Sequence, residues 1–275
     1  MYLTHSHLKS RIDLMNIFVF DIETIPDINS GRCLHELTDL SDKEVADTLF
    51  KLRRQETGGS EFLRLHLQRI VAISMVFLNG EHLKVWSLGD PQASEAEIIE
   101  RFFTGIEKYC PTLVSWNGAG FDLPVLHYRA LLHGISAPSY WETGESEQSF
   151  RWNNYLSRYH YRHMDLMDIL SGYQSRACAP LNDIACMLGL PGKMGMSGGL
   201  VWEYFQNGNI EAIRNYCETD VLNTYLVYLR FELMRGKLNQ VQYKQMSLQL
   251  RDYLQKENKS HFNEFLTAWQ PIKDE

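Results

Sequence analysis

The sequence predicts an α/β protein with a mixed central β-sheet flanked by α-helices. The hydrophobic pattern gives elements in the order β-β-β-α-β-α, and no internal repeat or low-complexity linker divides the chain. Of the 275 residues, 44% are hydrophobic and 22% are charged, which is ordinary for a globular protein with a sizeable core. We therefore expect one domain over residues 16–275, preceded by a flexible extension at residues 1–15.

Three strands are predicted in the first third of the chain. Residues 16–20 form an apolar run rich in strand formers, and residues 69–78 have a similar pattern. The Asn79-Gly80 pair predicts a tight hairpin turn before a third strand at residues 82–88. The second and third strands are therefore expected to be antiparallel.

Residues 27–68 are predicted to be a charged insertion between the first two strands. Ser41 and Glu44 have the spacing of a capping box, so we expect a helix at residues 41–56. The glycines that follow, from Gly58 onward, predict the break that ends this helix.

The rest of the chain is predicted to be mostly helical. A strand is expected at residues 112–116, and residues 163–170 form a short segment of apolar and acidic residues. The predicted helices cover residues 94–109, 123–132, 181–188 and 210–235, and a C-terminal helical extension begins at about residue 239.

Several classes of protein are excluded by composition. No apolar run approaches the roughly 18 residues that cross a bilayer, and residues 1–15 lack the apolar core of a secretory signal. The five cysteines include no C-x-x-C pair, which argues against a disulfide framework or a structural zinc site. We therefore expect a cytoplasmic protein without a membrane partner. The net charge of −7 argues against nucleic-acid binding by the whole surface, although local patches can still bind it.

The most informative polar residues are acidic. Asp21 and Glu23 are two apart at the end of the first strand, so their side chains point to the same face. Tyr216 and Asp220 are four apart on a predicted helix and share a face of it. Asp122 follows a strand at the start of a loop, where catalytic residues of α/β sheets are often found. Together these side chains predict one site.

Four carboxylates at one site would repel one another, because their ordinary pKa values near 4 leave them ionised at neutral pH unless something compensates. Divalent cations would remove this repulsion, and an all-oxygen ligand set without His or Cys favours Mg²⁺ or Mn²⁺ over zinc. Two such ions about 3.5–4 Å apart can activate a water and stabilise the leaving oxygen in a displacement at phosphorus. The pattern therefore predicts phosphodiester hydrolysis.

Three segments carry a resemblance to a known family. They are Phe20-Asp21-Ile-Glu23-Thr, Asn117-Gly-Ala-Gly-Phe121-Asp122 and Tyr216-Cys-Glu-Thr-Asp220. They resemble the exonuclease motifs of the proofreading domain of family-B DNA polymerases, in the DEDDy branch of the DnaQ-like superfamily. The chain is most similar to stand-alone bacterial proteins described as predicted 3′→5′ exonucleases related to that domain. The similarity runs from about residue 17 to residue 230, and it implies a ribonuclease-H-like fold.

The resemblance also implies roles for eight residues. Two Mg²⁺ or Mn²⁺ ions would be held by four metal ligands, a tyrosine would orient the attacking water, and three residues would contact the terminal nucleotide. These are, in the same order, Asp21, Glu23, Asp122 and Asp220; Tyr216; and Thr24, Asn117 and Phe121. The reaction expected is 3′→5′ hydrolysis of single-stranded DNA or frayed 3′ ends, with release of mononucleotides.

Three alternatives remain open at this level. The same site would serve a 3′→5′ exoribonuclease, since no residue here indicates whether a 2′-OH is recognised. A catalytically silent nucleic-acid-binding module is disfavoured, because such a module has no need for four mutually repelling carboxylates. A small-nucleotide hydrolase would need a closed pocket. The expected partners are single-stranded nucleic acid, with DNA favoured over RNA, and DNA replication or repair proteins.

Other polar segments allow two interpretations each. Asp165 and Asp168 form either an outer pair or an alternative ligand pair at the site or, more simply, a helix N-terminus or solvated face. Residues 150–162 interleave arginines with aromatic rings, which suits single-stranded nucleic acid but also a packed surface loop. The loop that contains Gly192-Lys193 is either a mobile segment on the substrate side or a plain connector.

Overall fold

A five-stranded β-sheet lies at the centre of the computed structural model, which describes residues 16–80 and 82–269. The extension expected at residues 1–15 and the last six residues of the expected domain lie outside the described residues. The strands, in the spatial order β3-β2-β1-β4-β5, are β1 (Asn16–Pro26), β2 (Gln68–Asn79), β3 (His82–Ser87), β4 (Thr112–Ser115) and β5 (His163–Asp165).

The sheet is mixed. β2 runs antiparallel to β3, as the Asn79-Gly80 turn predicted, and it also runs antiparallel to β1. β4 pairs in parallel with β1, and β5 pairs in parallel with β4. The carboxyl ends of β1, β4 and β5 therefore meet at one edge of the sheet.

Helices cover both faces of this sheet. They are α1 (Ile28–His35), α2 (Asp42–Thr57), α3 (Glu95–Tyr109), α4 (Asp122–His133), α5 (Pro138–Trp141), α6 (Leu166–Leu170), α7 (Leu181–Met187), α8 (Val201–Gln206), α9 (Ile210–Met234), α10 (Gln240–Glu257) and α11 (Ser260–Ala268).

The side chains of β1 alternate between two apolar cores. Ile17 and Val19 pack on the long helix α9, whose outer side is covered by α10 and α11. Phe18 and Phe20 point the other way and pack against α3 and α4. Because the strand alternates strictly, the face on which each later residue of β1 lies follows from this pattern.

Residues 27–68 form a small layer with its own core. Ser41 and Glu44 make the predicted capping box at the start of α2. The preceding helix α1 was not predicted from the sequence. It packs closely on α2, because a Cβ at Gly31 would lie only 2.7 Å from the Leu49 Cδ1 atom. The apolar residues shared within this layer are Val45, Leu49, Leu63 and Leu67.

A buried charge cluster joins this layer to the sheet and its helices. Arg129 of α4 pairs with Asp27, which follows β1, and donates to Glu95 of α3 at 2.6 Å. Glu95 Oε1 also accepts the Ile70 backbone N–H of β2 at 2.7 Å. Because the cluster is buried, each of its charges depends on its partners for solvation.

The C-terminal segment folds as a helical hairpin. The single helical stretch expected from about residue 239 is divided, because Asn258 adopts a left-handed conformation (φ 51°) that ends α10. Within residues 16–80 and 82–269, no helix is long and apolar enough to span a bilayer.

Candidate metal centre and active site

The carboxyl end of β1 carries two of the predicted metal ligands. β1 pairs with β4 only as far as Val19 and continues to Pro26, so one edge of its last residues is free of β4. Asp21 and Glu23 continue the row of Ile17 and Val19 and therefore face α9. A register irregularity between Glu23 and Thr24 marks the end of the regular pairing with β2.

Helix α9 brings three further groups to this row. Tyr216 and Asp220 lie one turn apart, and the Tyr216 hydroxyl donates a hydrogen bond to the Asp220 carboxylate. Between them in sequence, the Cys217 Sγ atom lies 3.4 Å from the Asp21 carbonyl oxygen. Among the described residues, the potential ligand atoms of Asp21, Glu23 and Cys217 all lie within 4.8 Å of one another.

Asp122 reaches the site from the opposite face of the sheet. It is the first residue of α4, and its Oδ1 atom accepts the Ile22 backbone N–H at 3.1 Å. This bond uses a donor on the part of β1 that β4 leaves unpaired. The strand edge thus holds the Asp122 carboxylate at the backbone of Ile22, the residue between Asp21 and Glu23 in sequence, and its charge raises the pKa values of both.

The electrostatics of the cluster are those expected of carboxylates that bind a cation. Burial, followed by the charges of Asp122, Glu23 and Asp220, raises the pKa of Asp21 well above its ordinary value. Burial also raises the pKa of Glu23, with further increases from Asp220 and Asp122. These shifts have one cause, which is negative charge held in a poorly solvated position.

The two flanking carboxylates show the same effect. Burial raises the pKa of Asp122 to about 7, although its hydrogen bond from Ile22 opposes the shift. Burial raises the pKa of Asp220 to about 6, opposed by the Tyr216 hydrogen bond and the charge of Lys193. A divalent cation would remove the repulsion among these four groups, and hard carboxylate oxygens are the ligands that Mg²⁺ or Mn²⁺ prefers.

Tyr216 and Cys217 are both neutral in this environment. Burial and the charge of Asp220 raise the pKa of the Tyr216 phenol. Burial and the charge of Asp21 likewise raise the pKa of the Cys217 thiol well above its usual value. Tyr216 therefore keeps its proton, so it can orient a water by hydrogen bonding but cannot accept a proton as a base at neutral pH. Cys217 was not among the predicted site residues, since its sequence position shows no pattern of its own.

The loop between β4 and α4 is held by Asp165. Its two carboxylate oxygens accept the backbone N–H groups of Asn117 and Ala119, each at 2.9 Å. Asp165 also caps α6 by accepting the Met167 N–H. The helix N-terminus that the sequence favoured for this residue is confirmed. Its hold on the loop that precedes Asp122 agrees with the outer position near the site that the sequence also allowed, but the contact itself was not predicted, because 46 residues separate Asp165 from Ala119.

The same loop requires a compact backbone. Asn117 has a left-handed φ of 63°, and a Cβ at Gly118 would lie 2.2 Å from the Ser115 Oγ atom. That hydroxyl is 2.8 Å from His163 Nε2 in the buried layer beneath the loop. Burial lowers the pKa of His163 to about 4, so this histidine is neutral and takes part in packing below the site.

The three predicted nucleotide contacts lie around the carboxylates. Asn117 belongs to the loop just described. Phe121 is partly buried, and its ring lies 5.5 Å, centroid to centroid, from that of Phe62 in the 27–68 segment. Thr24 is half-buried and donates from Oγ1 to Gln68 Oε1 at 2.9 Å. Their contacts with a nucleotide stay a prediction.

Lys193 is a cation near the site that sequence reasoning did not select. The pKa values of Glu23 and Asp220 are raised overall, and the positive charge of Lys193 opposes part of that rise. The loop is fastened to α9, because the Asn223 side chain accepts the Gly192 N–H at 3.2 Å and donates to the Gly192 carbonyl at 2.9 Å. The Gly192-Lys193 pair signalled a loop, but its position over the carboxylates depends on Asn223, which lies 31 residues from Gly192.

Some side chains of the arginine and aromatic segment at residues 150–162 pack within the protein, and others are exposed. The Arg162 guanidinium lies 4.0 Å from the centroid of the Phe150 ring, and the Tyr155 hydroxyl donates to the Pro111 carbonyl at 2.7 Å. These residues are structural. Trp152 and Tyr159, in contrast, are exposed.

A mixed sheet flanked by helices, with acidic side chains gathered at the carboxyl ends of its parallel strands, defines a ribonuclease-H-like nuclease. The chain belongs to the family of predicted 3′-5′ exonucleases related to the exonuclease domain of PolB, whose family model matches residues 60–269. The family therefore identifies the chain as a hydrolase, as the sequence motifs predicted. Asp122, Tyr216 and Asp220 lie within the matched residues, whereas Asp21 and Glu23 precede them. A comparison with curated proteins finds no match.

Proposed function

We propose that this protein removes mononucleotides from the 3′ end of single-stranded DNA by metal-dependent hydrolysis. The observation that carries the proposal is the cluster of Asp21, Glu23, Asp122 and Asp220, whose pKa values are all raised by burial. The charges of Asp122 and Asp220 raise the pKa values of Asp21 and Glu23 further. A buried acidic cluster of this kind destabilises the protein unless it binds a cation.

The oxygen donors suit Mg²⁺ or Mn²⁺, and we propose that the four carboxylates hold two such ions. Such ions would lower the pKa of an attacking water and stabilise the negative charge on the leaving 3′ oxygen. The chain supports this by keeping the ligands on rigid elements, with Asp21 and Glu23 on β1, Asp122 at the first turn of α4 and Asp220 on α9.

Tyr216 acts on the attacking water through its hydroxyl. The hydroxyl proton is donated to Asp220, so the lone pairs of the phenol oxygen remain available to accept a hydrogen bond from the water. Because the raised pKa keeps the phenol protonated, Tyr216 fixes the direction of the water rather than removing its proton.

Lys193 supplies positive charge on the solvent side of the site. Its effect on the pKa values of Glu23 and Asp220 indicates that its ammonium group lies near both carboxylates. A phosphate entering the site would carry negative charge toward an acidic cluster, and this lysine would offset part of the repulsion. We propose that Lys193 contacts a phosphate of the strand being shortened.

DNA is proposed as the substrate because the family is related to the exonuclease domain of a DNA polymerase. The aromatic rings beside Asp122 support a single-stranded substrate, since an unpaired base can stack on them and a paired base cannot.

The test is digestion of matched 5′-labelled single-stranded DNA and RNA in Mg²⁺, Mn²⁺ or EDTA. We expect a ladder that shortens from the 3′ end, depends on the metal and forms faster on DNA. Asp21→Asn removes a ligand charge with little change in shape and should abolish the ladder, whereas Asp183→Asn changes an exposed carboxylate on α7 and should leave it intact. Equal activity of Asp21→Asn and the wild-type protein would disprove the site. Faster RNA digestion would change the substrate to RNA, and binding without cleavage would support a silent module.

A further inference from the structure

Phe62 is an aromatic side chain for which the proposed reaction has no role so far. It follows the glycine-rich break after α2, and 57% of its surface is exposed. Single exposed hydrophobic residues are common on protein surfaces and need no explanation by themselves. Two features distinguish Phe62 from these, namely a fixed backbone and a connection to the candidate site.

The backbone of Phe62 is held on both sides. Its N–H donates to the Ser60 Oγ atom at 3.2 Å, and its carbonyl oxygen accepts from Arg53 Nε at 2.8 Å. The next residue, Leu63, is buried in the small core of the 27–68 segment. The ring is therefore presented to solvent from an ordered main chain, which lowers the entropy cost of using it in binding.

Hydrogen bonds tie this part of the chain to the end of β1. The Leu63 carbonyl accepts from Gln68 Nε2 at 3.2 Å, and Gln68 Oε1 accepts from Thr24 Oγ1 at 2.9 Å. Thr24 directly follows Glu23. Phe62 is thus connected through two side-chain hydrogen bonds to the strand that carries two of the four carboxylates.

The Phe62 ring also meets the other side of the site. Its centroid lies 5.5 Å from that of Phe121, with a tilt of 53° between the two rings. Phe121 immediately precedes Asp122. A base inserted between two rings needs about 7 Å between them, because stacked atoms approach to about 3.5 Å. The two rings are too close for insertion and instead form one continuous apolar surface.

We propose that Phe62 stacks on a base of the single-stranded substrate, next to the base that contacts Phe121. The proposal rests on the proposed function and assigns the 27–68 segment a role in it. One ring from this segment and one from the loop before Asp122 would support two successive bases at the 3′ end. The substrate class is therefore a strand with at least two unpaired terminal nucleotides.

The test compares kcat and KM for a single-stranded DNA oligonucleotide with those for the same oligonucleotide carrying abasic residues at its two 3′-terminal positions, which keeps the phosphodiester but has no base there. Phe62→Ala should raise KM for the oligonucleotide about 5- to 150-fold, the range that loss of one base-stacking ring produces. Its kcat and KM for the abasic substrate should stay at the wild-type values. Phe62→Tyr keeps a ring and should restore the oligonucleotide KM.

Leu34→Ala is the matched control, since Leu34 is in the same segment and is also 57% exposed. It should behave as the wild-type protein on both substrates. An unchanged oligonucleotide KM in Phe62→Ala, or an equal loss on both substrates, would overturn the stacking role. If the wild-type protein hydrolyses neither substrate, the proposed function fails. Fluorescence anisotropy of a labelled oligonucleotide in EDTA then tests the stacking role of Phe62 separately. Weaker binding by Phe62→Ala than by the wild-type protein would support that role, and equal binding would overturn it.

Discussion

At the scale of single residues, the site depends on protonation states that the surroundings impose. Burial and neighbouring charges keep the proton on Tyr216, while its hydroxyl donates to Asp220. The phenol is therefore restricted to hydrogen bonding. This limits how much of the rate Tyr216 can supply, because one oriented hydrogen bond contributes far less than a general base.

Tyr216→Phe should lower kcat about tenfold, the effect of losing one hydrogen bond in the transition state, and should leave the Kd for Mn²⁺ unchanged. Steady-state kinetics and calorimetric Mn²⁺ titration measure the two effects. Tyr225→Phe is the control on the same helix, because the buried Tyr225 hydroxyl has no hydrogen-bond partner among the described residues. Wild-type turnover in Tyr216→Phe would assign the orientation of the water to another group.

At the scale of structural elements, the site is assembled by contacts between segments that are distant in sequence. Asp165, the last residue of β5, fixes the loop that leads to Asp122. Arg129 joins the end of β1 to α3 and α4 through Asp27 and Glu95. These are charges buried with specific partners, so removing one partner leaves another charge without solvation.

Asp165→Asn should reduce both kcat and Mn²⁺ affinity, because an amide cannot accept both loop N–H groups and Asp122 loses its support. We expect a loss of about 1–3 kcal/mol in the free energy of unfolding, from the buried donor left unsatisfied. Denaturant unfolding and Mn²⁺ titration are the measurements. Asp168→Asn removes an ion pair with exposed Arg158 and serves as the control. If both variants retained wild-type activity, Asp165 would have no positioning role.

Arg129→Met should destabilise the fold by about 3–5 kcal/mol, since the buried carboxylates of Asp27 and Glu95 lose their shared cation. Arg101→Met disrupts an exposed pair with Glu97 and should cost less than about 1 kcal/mol. Denaturant unfolding of the two variants at pH 7 gives the comparison. A similar loss of unfolding free energy in both variants would mean that the buried cluster stabilises the fold no more than a surface ion pair does.

The sequence could predict those parts of the site that depend on local spacing. The alternation of β1 places Asp21 and Glu23 on one face, and the helical repeat aligns Tyr216 with Asp220. The parts that depend on long-range packing were missed. Lys193 is located by Asn223, and Phe62 lies next to Phe121, yet neither contact leaves a pattern in the chain. Helix α1 was missed because Gly31 weakens its helical signal, and its packing on α2 compensates for this weakness.

At the scale of the whole molecule, the carboxylate cluster links stability to pH and to metal. Asp220 has a pKa of about 6 in the folded protein, above its ordinary value of 3.8. The folded state therefore binds the proton more tightly than the unfolded state. The resulting stabilisation is complete below about pH 4 and is lost as the pH rises through about 6. The neutral, buried His163 has the opposite effect, since its folded pKa of about 4 reduces stability as the pH falls from about 6.5.

Asp220→Asn should stabilise the metal-free protein at pH 7.5, by about 1–3 kcal/mol in the free energy of unfolding, and the difference from the wild-type protein should vanish near pH 4. Taking the difference between the two proteins cancels the contribution of His163. Unfolding in EDTA at both pH values gives this comparison. A variant less stable than the wild-type protein at pH 7.5 would show that the buried negative charge of Asp220 does not destabilise the folded protein.

The most direct test of the central claim is calorimetric titration of the wild-type protein with Mn²⁺, alongside Asp21→Asn and Asp220→Asn. The account predicts saturable binding of two ions to the wild-type protein and loss of at least one site in each variant. Equal stoichiometry and affinity in all three proteins would contradict the assignment of these carboxylates as the metal centre.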